Sequence, residues 1–436
     1  MNYSKAKLQF LIAFLLVGSL LVSSLAATSL ARVDGSVPVS TSTMAGRLAV
    51  FDDVWATIEE RYYDPNFHGV DWQGKRVIFR QSAANANGTH EFYSVLHQMI
   101  AALRDAHTRV YAPEDKFDWW NPKFVTVGLT IREVEGVPTV TQVDPASAAA
   151  RAGIAPGDLL IDIDDSPVQN LIRTKVENGD SPLTGSARYR AIASLAEGPA
   201  ESSVKLTWQT RTGETRSAEL ARFWSQRRLG FNSQRKGRIA LIRLEAFTQS
   251  IGSEFAKELP KMIDGASAII LDLRTNGGGD AEAMSDIASL FLDDGINLGK
   301  FADRMGASFE LTTMSKRLWS TTPDSHTSLP MIVLTSENTS SAAEIMAATL
   351  QTKRRARIVG TDTCGCVLAI RNRHALPDGG VLDVSEFDYR TAEGVRLEGR
   401  GVKPDIVVPI LRRDYYERRD RAFDTARDIL NNHKTK

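Results

Sequence analysis

Residues 335–350 read TSENTSSAAEIMAATL, and the reading of this stretch decides the fold. The apolar run Met331-Ile332-Val333-Leu334 just before it predicts a buried strand. After the polar turn, Ala342, Ala343, Ile345, Met346, Ala347, Ala348 and Leu350 cover more than one face of a helix. Strand, sharp turn and buried helix set a serine at a helix N-terminus, where unpaired N–H groups and the helix dipole favour a developing negative charge. Ser341 is therefore a candidate nucleophile. The segment Ser341-Ala342-Ala343-Glu344 equally fits a capping box, Ser-x-x-Glu, which requires no chemistry.

The flanking sequence extends the α/β alternation. Residues 239–244 predict a strand, 251–263 a helix, 268–273 a buried strand, 281–291 a helix and 356–359 a further strand. The turn 274–280, RTNGGGD, lacks both the Gly-x-x-x-x-Gly-Lys and the Gly-x-Gly-x-x-Gly spacings, which argues against nucleotide binding. Its glycines suit a second use, aiming backbone N–H groups at an oxyanion. Residues 415–432 read as a charged helix with a solvated face.

Upstream, residues 45–110 carry helical periodicity. Leu48, Phe51, Val54, Trp55 and Ile58 recur at three- and four-residue steps, as do Phe92, Val95, Leu96, Met99 and Ile100. A turn at 63–66 separates the two runs. His107 follows Asp105 where the helical pattern gives way to a β-prone segment. Residues 124–222 predict short strands, turns and one small helix. Within them, A-G-I-x-x-G-D-x-L-x-x-I shortly after Pro145-Ala146 strongly resembles a PDZ domain. Such a domain adds an extended peptide to a sheet edge and captures its terminal carboxylate on loop amides. That loop falls here at Val127, Gly128 and Leu129.

Bulk properties narrow the classes. The chain has 436 residues, with 53 basic and 53 acidic side chains, and shows no nucleic-acid footprint. Lys5 and Lys7 precede an apolar run over 8–25 and small residues through Ala31, the pattern of a secretory signal. Cleavage after Ala26, Ala27 or Ala31 fits, the last being favoured. The run also approaches membrane-spanning length, so the protein is expected to be exported, periplasmic or extracellular, with or without a retained membrane anchor. Cys364 and Cys366 are the only cysteines. Spaced C-x-C, they leave open free thiols, a bridge across one glycine, or part of a metal site that finds no further ligands clustered nearby.

Taken in order, these pieces resemble the carboxyl-terminal processing (tail-specific) serine peptidases over residues 45–410. The likeness rests on Asp-x-His-Thr, the PDZ motif, Asp272-Leu-Arg-Thr-Asn-Gly-Gly-Gly279, Ser-Ala-Ala-Glu, Gly-x-x-Thr-x-Gly and Gly-Val-x-Pro-Asp. The family's Ser-x-Ser-x-Ser-Glu turn puts the nucleophile three residues before the glutamate, at Ser341, with Thr339 and Ala343 in place of the flanking serines. Lys-dependent members carry their base in Gly-x-x-Thr-x-Gly-Lys, where this chain has Cys366, and Lys353 does not match that lysine. The chain looks instead like the tricorn-core branch, which takes a histidine as base and a glutamate as its aid. His107 and Glu398 match those positions, while Ala106 stands where that branch has a further serine.

The resemblance implies a multidomain α/β protein with a helical N-terminal region, a PDZ module and a peptidase core of the ClpP/crotonase-like type. The expected divisions are a signal or anchor at 1–31, linker at 32–44, helical region at 45–122, PDZ at 123–222, core at 223–412 and a C-terminal charged helix at 413–436. It further implies a Ser341 nucleophile, His107 base and Glu398 partner, with oxyanion donors at Ala342 and at Gly277 or Gly278. Substrates are proteins or peptides, and no cofactor or metal is required. Two other readings stay open at this point: an inactive PDZ scaffold, and a non-proteolytic hydrolase or ligand carrier on the same fold.

Overall fold

The computed structural model describes residues 39–115, 123–177, 185–226, 229–313 and 327–432. The expected signal or anchor lies outside them. Among the described residues no helix is long and apolar enough to cross a membrane.

The N-terminal region is built of three helices, α1 (Met44–Arg61), α2 (Trp72–Asn85) and α3 (Thr89–Ala101), followed by strand β1 (Arg109–Tyr111). Thr43 caps α1 by accepting the Gly46 N–H on Oγ1 at 3.1 Å. The buried stripe of α1 is Val50, Phe51, Val54, Trp55 and Ile58, so Val50 takes the place expected of Leu48, which is half-buried. Buried Arg47 donates to the carbonyls of Ala83 at 3.0 Å and Ala84 at 2.8 Å, tying α1 to the end of α2. This cluster is completed from the far end of the chain by Leu368, Leu376, Leu382 and Val384.

The next module contains β2 (Lys123–Thr126), β3 (Leu129–Val134), β4 (Val137–Val143), α4 (Ala148–Arg151), β5 (Leu159–Ile163), β6 (Ser166–Pro167), α5 (Val168–Glu177), α6 (Gly185–Ala193), β7 (Ser203–Gln209), β8 (Thr215–Ala221) and β9 (Phe223–Gln226). Its sheet runs β3-β4-β5-β7-β8, leaving β3 as an edge, and β2 pairs with β9 as a separate ribbon. Three helices stand where one small helix was expected. Ile172, Ile192 and Leu195, lying outside the recognisable motif, bury against Trp208 and Leu206, and that tertiary burial is what stabilises α5 and the end of α6.

The core contains β10 (Phe231–Lys236), β11 (Ile239–Leu244), α7 (Ile251–Ile263), β12 (Ala268–Asp272), α8 (Ala281–Ala288), β13 (Asn297–Asp303), β14 (Ser308–Thr312), β15 (Met331–Thr335), α9 (Ala342–Thr352) and β16 (Ala356–Gly360). It continues through β17 (Ala369–Ile370), β18 (His374–Ala375), β19 (Val381–Asp383), β20 (Ser385–Arg390), β21 (Ile406–Val407), α10 (Arg412–Tyr416) and α11 (Arg421–Asn432). The main sheet has the order β10-β11-β12-β15-β16-β21 and is parallel except at β10. Its central strands β12 and β15 are buried at every residue, as a parallel sheet covered on both faces requires. Ile269, Leu271 and Val333 pack under α7, α8 and α9. Ile270, Ile332 and Leu334 point the other way, onto Ala422, Ala426 and Leu430 of α11. The C-terminal segment is therefore corrected in two respects. It forms two helices, and the second buries a stripe at four-residue spacing that its surrounding charges masked.

Two smaller sheets connect the core to the N-terminal region. One has the order β14-β13-β20-β17, and the other β1-β19-β18. The pairing Arg109↔Asp383, Val110↔Leu382 and Tyr111↔Val381 brings the end of the helical region onto the core.

Candidate active site

Ser341 sits between β15 and α9 with φ +56° and ψ −125°, in the left-handed half of the map that a side chain disfavours by roughly 1–3 kcal/mol. The sharp turn is held from below. Ser336 Oγ donates to the Arg274 carbonyl at 2.6 Å, Thr339 Oγ1 to that of Leu273 at 2.8 Å, and the Ser340 N–H to that of Asn276 at 3.1 Å. The Ser341 N–H reaches the Cys366 carbonyl at 2.9 Å and Glu344 Oε2 at 3.1 Å. Ser341 remains partly exposed while the helix behind it is buried, the geometry of a nucleophile on a strand-to-helix elbow.

Glu344 lies at the centre of this arrangement. Wholly buried, it accepts hydrogen bonds from the Ser341 N–H, the Gly365 N–H at 2.7 Å, the Cys366 N–H at 2.9 Å and the Thr363 hydroxyl. Burial raises its pKa, against the pull of those donors. The capping-box glutamate is thus present, and it also fastens the loop 363–366 to the serine turn.

The glycine turn lies directly against Ser341. A Cβ on Gly278, whose φ is +93°, would stand 2.6 Å from the Ser341 Cβ and 3.1 Å from the Ala342 N, so only glycine fits. Gly277 flanks the Ser340 hydroxyl. Ala342 opens α9, and its N–H is among the first-turn amides that have no acceptor within the helix. In this conformation the Gly278 N–H donates to Asn276 Oδ1 at 2.8 Å, which corrects the expectation that it points at a substrate oxygen. The contribution of Gly278 here is close approach.

Glu398 joins through the same loop, accepting the Val367 N–H at 2.6 Å and the Leu368 N–H at 3.2 Å. Burial, with the charges of Asp105 and Glu344 nearby, raises its pKa to about 7, against the pull of the Val367 N–H. His107 belongs to a turn that Asp105 builds. Asp105 Oδ1 accepts the His107 N–H at 2.7 Å, the Thr108 N–H at 2.6 Å and the Ser385 hydroxyl at 2.9 Å, while Oδ2 takes the Thr108 hydroxyl at 2.7 Å. The histidine turn is thereby pinned to β20, with its own carboxylate in electrostatic reach of Glu398. Beside them Arg396 makes two bonds to Asp388, at 2.8 and 3.0 Å, and a third to the Tyr63 hydroxyl at 2.9 Å.

Asp105, Asn276, Glu344 and Arg396 were not singled out as site residues from the sequence. The Asp-x-His turn and the capping box were the available signals for Asp105 and Glu344; nothing local marks Arg396. The expected peptide-capture residues form a separate group at the start of β3. Val127 is buried, and Gly128 has φ +86° with its N–H donated to Thr126 Oγ1 at 2.9 Å. A Cβ there would meet the Ser147 Cβ at 2.0 Å. Cys364 and Cys366 form a disulfide, the bridge across one glycine among the states the spacing allowed.

The raised pKa of Glu398 has a consequence for stability. Unfolded, the carboxyl ionises near 4.5; folded, near 7, so the folded state holds an extra proton between those values. Its stabilisation is full below pH 4.5 and is lost as pH rises through 7, a change at most on the order of 3 kcal/mol. Urea unfolding at pH 5 and pH 8 should show Glu398→Gln losing less stability over this interval than wild type. Equal losses would mean that Glu398 is not the titrating group.

A partly exposed serine on a strand-to-helix elbow, an α/β core and an edge-strand peptide module define a serine-type peptidase. Residues 238–408 match peptidase family S41, residues 45–101 the tricorn protease C1 domain and residues 139–175 a PDZ domain. Over most of its length the chain is similar to the carboxyl-terminal-processing proteases, and its core carries the peptidase family S41 match. It is 29% identical over 376 residues to the chloroplastic carboxyl-terminal-processing peptidase 2 of Arabidopsis thaliana, covering 83% of this chain and 68% of that protein. It is 27% identical over 369 residues to the carboxyl-terminal-processing protease of Synechocystis sp., covering 81% and 79%. In fold it is similar to mature CPAF complexed with lactacystin, with a TM-score of 0.66 at 16% identity, covering 90% of this chain and 98% of that one. These relatives do not favour the inactive-scaffold reading.

Proposed function

We propose that the protein is an exported endopeptidase that cleaves unstructured or C-terminal peptide segments with Ser341 as nucleophile and His107 as general base. The observation that carries this reading is the strained Ser341 turn, held by Glu344 and by the loop that also engages Glu398. Neutral His107 takes the Ser341 proton as the hydroxyl attacks the scissile carbonyl. The Glu398 carboxylate stabilises the imidazolium, and the Ala342 N–H, with a second amide from the Gly277 turn, receives the oxyanion. His107 then protonates the leaving amine and activates the water that hydrolyses the acyl-enzyme. With Cys366 at the position where the resemblance would place a lysine base, this scheme takes its base from His107 instead.

The test is covalent labelling by a fluorophosphonate probe of wild type and the Ser341→Ala, His107→Ala and Glu398→Ala variants. Loss of label in Ser341→Ala and slow label in His107→Ala are the expected results. Labelling indifferent to His107 would put the base elsewhere.

The PDZ module recruits substrate and gates the site. Tyr189 of α6 donates its hydroxyl to Asn338 Oδ1, one of the residues of the Ser341 turn, and Arg132 of β3 lies over the same tyrosine ring at 4.8 Å. A peptide added along β3 therefore meets side chains coupled to the nucleophile turn. Deleting residues 124–222 should impair cleavage of long peptides more than of short ones; equal impairment would remove recruitment from the scheme.

A further inference from the structure

The loop 363–368 serves three parts of the site within a few residues. The Cys366 carbonyl accepts the Ser341 N–H at 2.9 Å. The Gly365 and Cys366 N–H groups donate to Glu344 at 2.7 and 2.9 Å, and the Val367 N–H donates to Glu398 at 2.6 Å. Within it, the Cys364–Cys366 disulfide encloses a single residue, Gly365. Gly365 has φ +69°, and a Cβ there would stand 3.0 Å from the Arg400 and Gly401 nitrogens, so the loop is pressed against the turn that carries Glu398. One covalent link thus fixes the carbonyl and amides that orient nucleophile and carboxylate together.

We infer that the Cys364–Cys366 disulfide is a thiol-exchange site whose reduction by a dithiol releases this loop and slows the Ser341 chemistry. The kinetic consequence rests on Ser341 being the nucleophile; the exchange itself does not. The two sulfurs differ in access, since Cys366 is 4% exposed and Cys364 is half-buried. A thiolate of the dithiol attacks the Cys364 sulfur, forming a mixed disulfide and expelling the Cys366 thiolate. The second thiolate of the reductant then attacks its own sulfur in that mixed disulfide. This closes the oxidised, cyclic reductant and expels the Cys364 thiolate. The protein gains two electrons, and the two protons of the dithiol end on the two cysteines. The freed loop regains backbone conformations that the cross-link had excluded, and the bonds to Ser341, Glu344 and Glu398 are no longer held in one geometry.

The experiment follows the full mature chain, prepared under air, through titration with dithiothreitol. Alkylation and intact mass count thiols, and fluorophosphonate labelling reports the serine. The expected result is no free thiol before reduction, two after it, and at least tenfold slower labelling of the reduced form, restored by reoxidation. The Cys364→Ser, Cys366→Ser double variant should label at the slow rate with or without dithiothreitol. Two free thiols at the outset, a disulfide that dithiothreitol leaves intact, or labelling unchanged or faster after reduction would each overturn the inference. If neither form labels, the peptidase reading fails separately. Amide exchange at Ser341 and residues 365–368 then decides: faster exchange on reduction supports the switch, and unchanged exchange overturns it.

Discussion

Replacing His107 by alanine should slow fluorophosphonate labelling of Ser341 at least about a thousandfold, with no comparable loss of stability. The magnitude follows from the proposed role of His107 as general base. Without a base, the Ser341 hydroxyl must lose its proton to water, although the elbow and the amide donors remain in place. The geometry keeps the substitution local. The Asp105 carboxylate holds the His107 turn through backbone N–H groups and through Thr108 and Ser385 hydroxyls, none of which belongs to the imidazole. Thermal unfolding measured beside labelling separates the two effects. A variant that unfolds several degrees lower and labels in proportion to its folded fraction would make His107 structural and remove it from the mechanism.

Glu344→Ala should destabilise the fold by about 3–5 kcal/mol and abolish labelling as well. Removing this carboxylate leaves the Gly365 and Cys366 N–H groups and the Thr363 hydroxyl facing a buried void, while the Ser341 N–H keeps only the Cys366 carbonyl. Each unsatisfied buried donor costs about 1–3 kcal/mol, and partial rearrangement or entering water recovers some of it. The positive φ of Ser341 is also left with fewer restraints to hold it. Glu344→Gln keeps the volume but turns an N–H toward amides that are themselves donors, so it should fall between alanine and wild type in urea midpoint. If Glu344→Ala unfolds at the wild-type midpoint, the glutamate is an ordinary helix cap, and the loop 363–368 is held by other means.

Much of the site was legible in the chain because its parts are local. Strand, polar turn and alanine-rich helix are neighbours in sequence, so the elbow at Ser341 could be placed from residues 331–350 alone. That the glycine turn belongs to the site was legible in kind, since its glycines suit the aiming of backbone N–H groups at an oxyanion, whereas its close approach to Ser341 was not. Which of their amides is engaged was not, because that depends on the side-chain rotamer of Asn276. The extra helices of the PDZ module and the buried stripe of α11 escaped for one reason. Their apolar residues are too few against polar neighbours, and only the surface they meet shows which face is inside.

The sequence by itself determined the elements, their order and the residue types available for chemistry, because periodicity, turn residues and motif spacing are properties of short segments. Tertiary structure alone decided that the loop 363–368, the turn carrying Glu398 and the serine turn close on one another, and that the turn carrying His107 is pinned to β20. These segments are far apart in the chain, and what joins them is the pairing of β1 with β19, the Asp105–Ser385 bond and the loop shared by Glu344 and Glu398. Such contacts form only when the whole core closes, since long-range pairing is rewarded by packing that no single segment can make on its own.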